Sequence, residues 1–110
     1  VFNQGTTVMT LTKRAIIPQE YTLHQNYPNP FNPITSLSYN LPEQAQVTLT
    51  VYDLMGRKVT QLVNTIQEVG YKSVQWNATD TFGKPVSAGV YLYQIQAGEF
   101  AQTRKMVLLK

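Results

Sequence analysis

The residues able to do chemistry in this chain are few and scattered. His24 is the sole histidine, so a nucleophile-base relay or an imidazole metal site would need partners that a chain with only six acidic residues barely offers. A lone His between Leu23 and Gln25 reads better as a surface or loop-anchoring residue. Asp53 and Asp80 would form a carboxylate pair only by coincidence of folding, and each is better explained as a turn residue that bonds its own backbone. The run Asn77-Ala78-Thr79-Asp80-Thr81-Phe82-Gly83 places oxygen-bearing side chains before a glycine, as a calcium loop does, but lacks the repeated acids and the closing Glu that would supply a bidentate ligand. Four tyrosines, Tyr39, Tyr52, Tyr91 and Tyr93, raise a carbohydrate-binding alternative, because exposed rings stack on apolar sugar faces. Tyr91 and Tyr93 share a strand face with Ile95, which favours core packing. The expectation is a protein with no catalytic residues, no metal site and no cofactor.

The totals narrow the field further. A chain of 110 residues fits one domain with a modest core. Without cysteine there are no disulfides, no thiol catalysis and no thiolate metal site. The net charge of +3 is mild and its lysines and arginines are dispersed, so the basic patch expected of a nucleic-acid binder is missing. No apolar run approaches the ~18 to 20 residues of a membrane helix, and no basic-then-apolar signal peptide stands at Val1. The start at Val1 in place of Met is expected of a fragment or a processed product.

The elements that would position any site are strands. Residues 1–15 carry the β-branched stretch Thr6-Thr7-Val8-Met9-Thr10-Leu11-Thr12, and Pro18 punctuates the boundary after it, so residues 1–20 read as the tail of a preceding domain or a linker and 21–110 as the domain. The segment 21–33 holds Pro28, Pro30 and Pro33, which fix φ and push their predecessors toward extended backbone; it is expected to be a stiff arm whose Tyr27 and Phe31 cover an open end or edge of a sheet. In 34–41, Leu37, Tyr39 and Leu41 fall on one face. In 46–53, Val47, Leu49 and Val51 point inward, and Thr48, Thr50 and Tyr52 outward. Asp53-Leu54-Met55-Gly56 is a hairpin turn with glycine at the left-handed position. A returning strand over 58–63 offers Val59 and Leu62 to the core, 64–70 reads as a loop, and 72–76 puts Val74 and Trp76 on one face.

The C-terminal third organises the rest. Gly83 supplies a positive φ in a sharp corner, and Pro85 belongs on an edge or at the first position of a strand. From Gly89, Tyr91, Tyr93, Ile95 and Ala97 share a face, with Val90, Leu92, Gln94 and Gln96 on the other; Gly98-Glu99 then turns the chain into a final strand over 100–109. Met106 to Leu109 is apolar on both faces, so this strand is either covered on both sides or offered as an edge for strand addition. Short strands at regular spacing, turn signals between them and no helical period give an all-β fold, an antiparallel immunoglobulin-like β-sandwich of about seven strands.

Four stretches in order, Asn26-Tyr27-Pro28-Asn29-Pro30-Phe31-Asn32-Pro33, Val51-Tyr52-Asp53-Leu54-Met55-Gly56-Arg57-Lys58-Val59, Gly83-Lys84-Pro85-Val86-Ser87-Ala88-Gly89-Val90-Tyr91 and Lys105-Met106-Val107-Leu108-Leu109-Lys110, make residues 21–110 resemble the C-terminal sorting domain of the type IX (Por) secretion system. The segment 76–91 also resembles the immunoglobulin-like module of the flagellar hook-capping protein. The resemblance implies a non-enzymatic address label at the end of a larger cargo of a Gram-negative bacterium. An outer-membrane translocon would read the label after passage to the periplasm, and a sortase-like peptidase would remove it, leaving the cargo released or anchored at the cell surface. Carried over by position, the recognition residues are Gly89, Tyr91, Lys105, Val107, Leu109 and Lys110, and the cleavage zone is 15–20. The alternative is a carbohydrate- or partner-binding sandwich accessory to a secreted enzyme. Self-association through an edge strand or the 1–11 arm is a third expectation.

Overall fold

The computed structural model describes residues 17–109. Readings that fall on residues 1–16, including the cleavage zone's Ala15 and Ile16 and the proposed 1–11 arm, and the site residue Lys110, lie outside the described part. Seven strands follow one another: β1 (Thr22–Leu23), β2 (Thr35–Leu41), β3 (Ala45–Tyr52), β4 (Lys58–Gln67), β5 (Gly70–Trp76), β6 (Gly89–Ala97) and β7 (Phe100–Leu108). They form two antiparallel sheets, β1-β2-β5 and β4-β3-β6-β7. This is the expected all-β sandwich of seven strands.

Alternation explains the layering. In β2 every second residue, Thr35, Leu37, Tyr39 and Leu41, is buried; β3 contributes Val47, Leu49 and Val51, and β6 contributes Tyr91, Tyr93, Ile95 and Ala97. Met106 and Leu108 of β7 close the core at one end, and Trp76 fills its centre, with Tyr91 edge-on at 5.5 Å between ring centroids and Phe31 tilted at 5.9 Å. Polar ends of these buried rings are all bonded. The Trp76 Nε1–H donates to the Thr79 carbonyl (2.9 Å), the Tyr39 hydroxyl to Gln67 Oε1 (2.6 Å), and the Tyr91 hydroxyl to the Ser87 carbonyl (2.6 Å). Burial pushes the Tyr39 and Tyr93 phenols above their ordinary value.

Two local expectations need correction. The stretch 64–70 is not a loop: β4 runs on to Gln67, and only Glu68 and Val69 separate it from β5. Its exposed Asn64, Thr65 and Ile66 hide the strand from pattern reading, because their backbone is held by Val47, Thr48 and Gln46 of β3 rather than by burial. The uneven alternation of β4 comes from two register shifts against β3, between Leu49 and Thr50 and between Val51 and Tyr52. Tyr27 does not cover an edge, being 81% exposed, whereas Phe31 does and is buried.

Candidate recognition surface

β7 is an edge strand, and an edge exposes a row of unpaired amides and carbonyls. Here that row is closed at its C-terminal end by the proline-rich arm. The Phe31 amide donates to the Val107 carbonyl (3.0 Å), the Leu109 amide donates to the Phe31 carbonyl (2.8 Å), and the Val107 amide donates to Asn29 Oδ1 (3.0 Å). One turn earlier, Gln25 Nε2 donates to the Lys105 carbonyl (2.8 Å). Proline can play this part because an arm lacking some amides needs few partners of its own; all three Xaa-Pro bonds in it are cis. The arm is itself anchored. The Asn26 amide donates to the Tyr93 hydroxyl (2.8 Å), which donates to the His24 carbonyl (2.6 Å), and Asn26 Nδ2 donates to Thr35 Oγ1 (3.0 Å).

With the C-terminal end of the backbone edge occupied, the outward side chains there are what a partner meets. Lys105 and Leu109 are exposed and Val107 is half-buried, all on the outer face, while Met106 and Leu108 face the core. Neither alternative of the sequence reading describes this strand: one face is buried and the other half-exposed, and its C-terminal edge is taken by the arm. Register extends the surface across the sheet. Lys58, Tyr52, Leu92 and Lys105 lie in one row spanning β4, β3, β6 and β7, and Val90 pairs with Val107 in the next row toward the C-terminus. On the other side the face turns polar, with Gln61 Nε2 donating to Thr50 Oγ1 (3.2 Å) and Gln94 Nε2 to Thr103 Oγ1 (3.1 Å). The result is a half-exposed apolar strip of Tyr52, Val90, Leu92, Val107 and Leu109 between two lysines.

The remaining expected residues lie apart from this strip. Tyr91 is interior, and burial pushes its phenol up. Gly89 pairs with Leu108 at the first position of β6 with φ +149°, outside the range that side chains favour, so it sets the strand's path and presents no side chain. Sequence reading missed Tyr52, Val90 and Leu92 as surface residues of the site. The alternation of β6 placed Val90 and Leu92 outward, but only cross-strand register joins them to β7.

Two alternative chemistries keep few of their expected groups. Of the four tyrosines, Tyr39, Tyr91 and Tyr93 are buried and unavailable to stack on a sugar, and only Tyr52 reaches the surface, half-buried. In the 77–83 segment, Asp80 Oδ1 accepts from the amides of Phe82 and Lys84 (both 2.9 Å) and Asn77 Oδ1 from the Thr79 hydroxyl (2.6 Å), so these oxygens serve the turn. Among the described residues no cluster of three or more His, Asp or Glu is placed to hold a metal ion.

A seven-stranded antiparallel sandwich of a three-stranded and a four-stranded sheet belongs to the immunoglobulin-like class of β-sandwiches. The sequence profile of the secretion system C-terminal sorting domain matches residues 25–109, and the chain belongs to that family. Among solved structures, it is similar to dimeric latent PorU from Porphyromonas gingivalis, at 20% identity and a TM-score of 0.68 over 79% of this chain and 9% of that one. It is also similar to PorZ, a surface component of the type IX secretion system of the same organism, at 22% identity and a TM-score of 0.57 over 80% of this chain and 11% of that one. FlgD from P. aeruginosa resembles it at 27% identity and a TM-score of 0.54 over 67% of this chain and 57% of that one. The chain thus spans about a tenth of the two Porphyromonas proteins. No curated protein sequence matches it.

Proposed function

We propose that this domain is the non-enzymatic sorting label of a larger cargo, read at the outer membrane by the type IX translocon through the outer-face strip around Lys105, Val107 and Leu109. The observation that carries the reading is the closure of the β7 backbone edge by Phe31 and Asn29, which leaves side chains as the readable feature. Tyr52, Val90 and Leu92 widen the strip, Gly89 and Tyr91 act by positioning β6 beneath it, and Lys110 is the further recognition residue that the sequence resemblance implies. The label directs its cargo through the periplasm and outer membrane of a Gram-negative bacterium to the medium or the cell surface. A sortase-like peptidase cuts within 15–20, where Gln19 and Glu20 are exposed, and 21–110 is the unit removed.

The test is delivery of a reporter enzyme preceded by an export signal and followed by this chain, in a bacterium with a working type IX system. The intact fusion reaches the surface or the medium, and removal of 105–110 leaves it in the periplasm. Normal delivery of the truncated fusion contradicts the reading.

A further inference from the structure

The glutamates of the sandwich gather at one end, with Lys72 nearby, and three of its cations at the other, with Asp53 and Asp80. All four glutamates sit at one end: Glu43 in the β2–β3 turn, Glu68 in the β4–β5 turn, Glu99 in the β6–β7 turn, and Glu20 beside Tyr21, whose hydroxyl donates to Glu43 Oε2 (2.8 Å). The pairings Leu41 with Gly70, Ala45 with Gln67 and Ala97 with Phe100 place these turns together. Arg57, Lys58 and Lys84 lie at the opposite end, with Lys105 a short way along the outer face.

That basic end is built from two copies of one turn. Asp53-Leu54-Met55-Gly56-Arg57 and Asp80-Thr81-Phe82-Gly83-Lys84 share the same bonds: Asp Oδ1 accepts from the amides two and four residues on, the glycine amide donates to the Asp carbonyl, and the Asp amide donates to the carbonyl of the basic residue. Thr81 locks the pair side by side by donating its amide to the Val59 carbonyl (3.0 Å). Between them lies a cleft lined by Val59, Val86, Arg57 and Lys58. Both carboxylates are turned into their own turns. Arg57 Nε donates to Asp53 Oδ2 (2.9 Å), Lys58 and Lys84 are exposed, and so are three large apolar side chains: Leu54 is 63% exposed, Met55 79% and Phe82 85%. Nothing in folding requires a turn tip to carry Met or Phe in water.

We propose that this end is a docking site for an anionic lipid bilayer surface. Convex apolar tips flanked by the exposed lysines Lys58 and Lys84 match the boundary between headgroups and acyl chains, which admits protruding side chains and attracts Lys and Arg. A protein pocket would call for a concave counterpart and fixed ion-pair geometry, whereas these groups are spread over two tips. The charge separation also orients the molecule. An anionic surface attracts the twin turns and repels the glutamate end, where residues 17–20 lead into the domain, so any preceding segment is held away from the lipid. The apolar tips lie beyond the strip, which they meet only at Lys58, and the proposal stands whether or not that strip is a sorting surface.

The test is co-sedimentation of the 110-residue chain with vesicles of phosphatidylglycerol mixed with phosphatidylcholine, and with vesicles of phosphatidylcholine alone. Binding is expected to the first and not the second, to weaken as salt rises past about 0.5 M, where screening is nearly complete, and to fall about tenfold in Met55→Ser/Phe82→Ser and in Lys58→Gln/Lys84→Gln. Glu68→Gln at the far end leaves it unchanged. These side chains are exposed, and an unchanged melting temperature verifies that the variants fold. Absence of binding to anionic vesicles overturns the proposal. So does equal binding to soluble polyglutamate with no loss in Met55→Ser/Phe82→Ser, which would mark a simple charge contact with an acidic polymer.

Discussion

Phe31 runs parallel to Leu108 as an extra half-strand on the edge of β7, its amide and carbonyl bonding the residues on either side of that leucine. The same residue sends its ring into the core against Trp76. One side chain thereby couples the arm, the last strand and the core. Phe31→Ala is expected to cost about 3–5 kcal/mol as a large-to-small core change, measured by urea unfolding. The amides of Val107 and Leu109 should then exchange hydrogen faster than the rest of β7. Unchanged protection at Leu109 would show that the arm does not hold the edge.

The Tyr93 hydroxyl bridges the Asn26 amide and the His24 carbonyl. Tyr93→Phe keeps the ring and strands two backbone groups, one of them buried, at an expected cost of about 1–3 kcal/mol. Tyr27→Ala, on the same arm but in solvent, should stay within about 0.5 kcal/mol of the parent. The contrast between the two in chemical denaturation separates anchoring by hydrogen bond from mere aromatic content.

How much of this was legible in the sequence follows from which forces fixed each part. Strands β2 and β6 bury alternate residues, β5 and β7 alternate between more and less exposed residues down to Trp76, Met106 and Leu108, and β3 departs from this at the buried Thr50, so the hydrophobic period announced these strands and most of their inward sets. The far half of β4 is held by its ladder to β3, with Asn64, Thr65 and Ile66 exposed, and a backbone ladder leaves no mark on side-chain pattern. Pairwise register was equally silent, which is why Tyr52 and Leu92 joined the recognition strip only once the strands were aligned. The proline arm announced its stiffness but not its target, since the bonds from Asn29 and Phe31 to β7 link residues some seventy-eight positions apart.

Gly56 and Gly83 sit at φ +84° and +81° with nothing within 4 Å of an added Cβ. Gly56→Ala and Gly83→Ala should each therefore cost about 1–2 kcal/mol from backbone conformation alone. Equal losses in thermal unfolding would verify that the two turns are energetic as well as geometric copies. A cost near zero at either would contradict the left-handed assignment.

Stability should fall at both extremes of pH. The Arg57 amide, followed by the Arg57 side chain and the Met55 amide, holds the Asp53 carboxyl below its ordinary 3.8. The unfolded chain then binds the extra proton, so this contribution is present above about pH 4 and is lost as pH falls through the folded value. Asp53→Asn should flatten the acid limb of the unfolding-midpoint profile. At the alkaline end, Tyr39 and Tyr93 are raised above 10.0 by burial. Their contribution is intact below about pH 10 and is lost as pH rises through the folded values, which tyrosinate absorbance follows directly.

The most direct measurement of the sorting account is delivery of the fused reporter carrying Val107→Asp and Leu109→Asp, two outward substitutions that leave the inward Met106 and Leu108 in place. The account predicts a domain that still folds, with a cooperative melt, and a reporter retained in the periplasm. A folded double variant delivered as efficiently as the parent would contradict it.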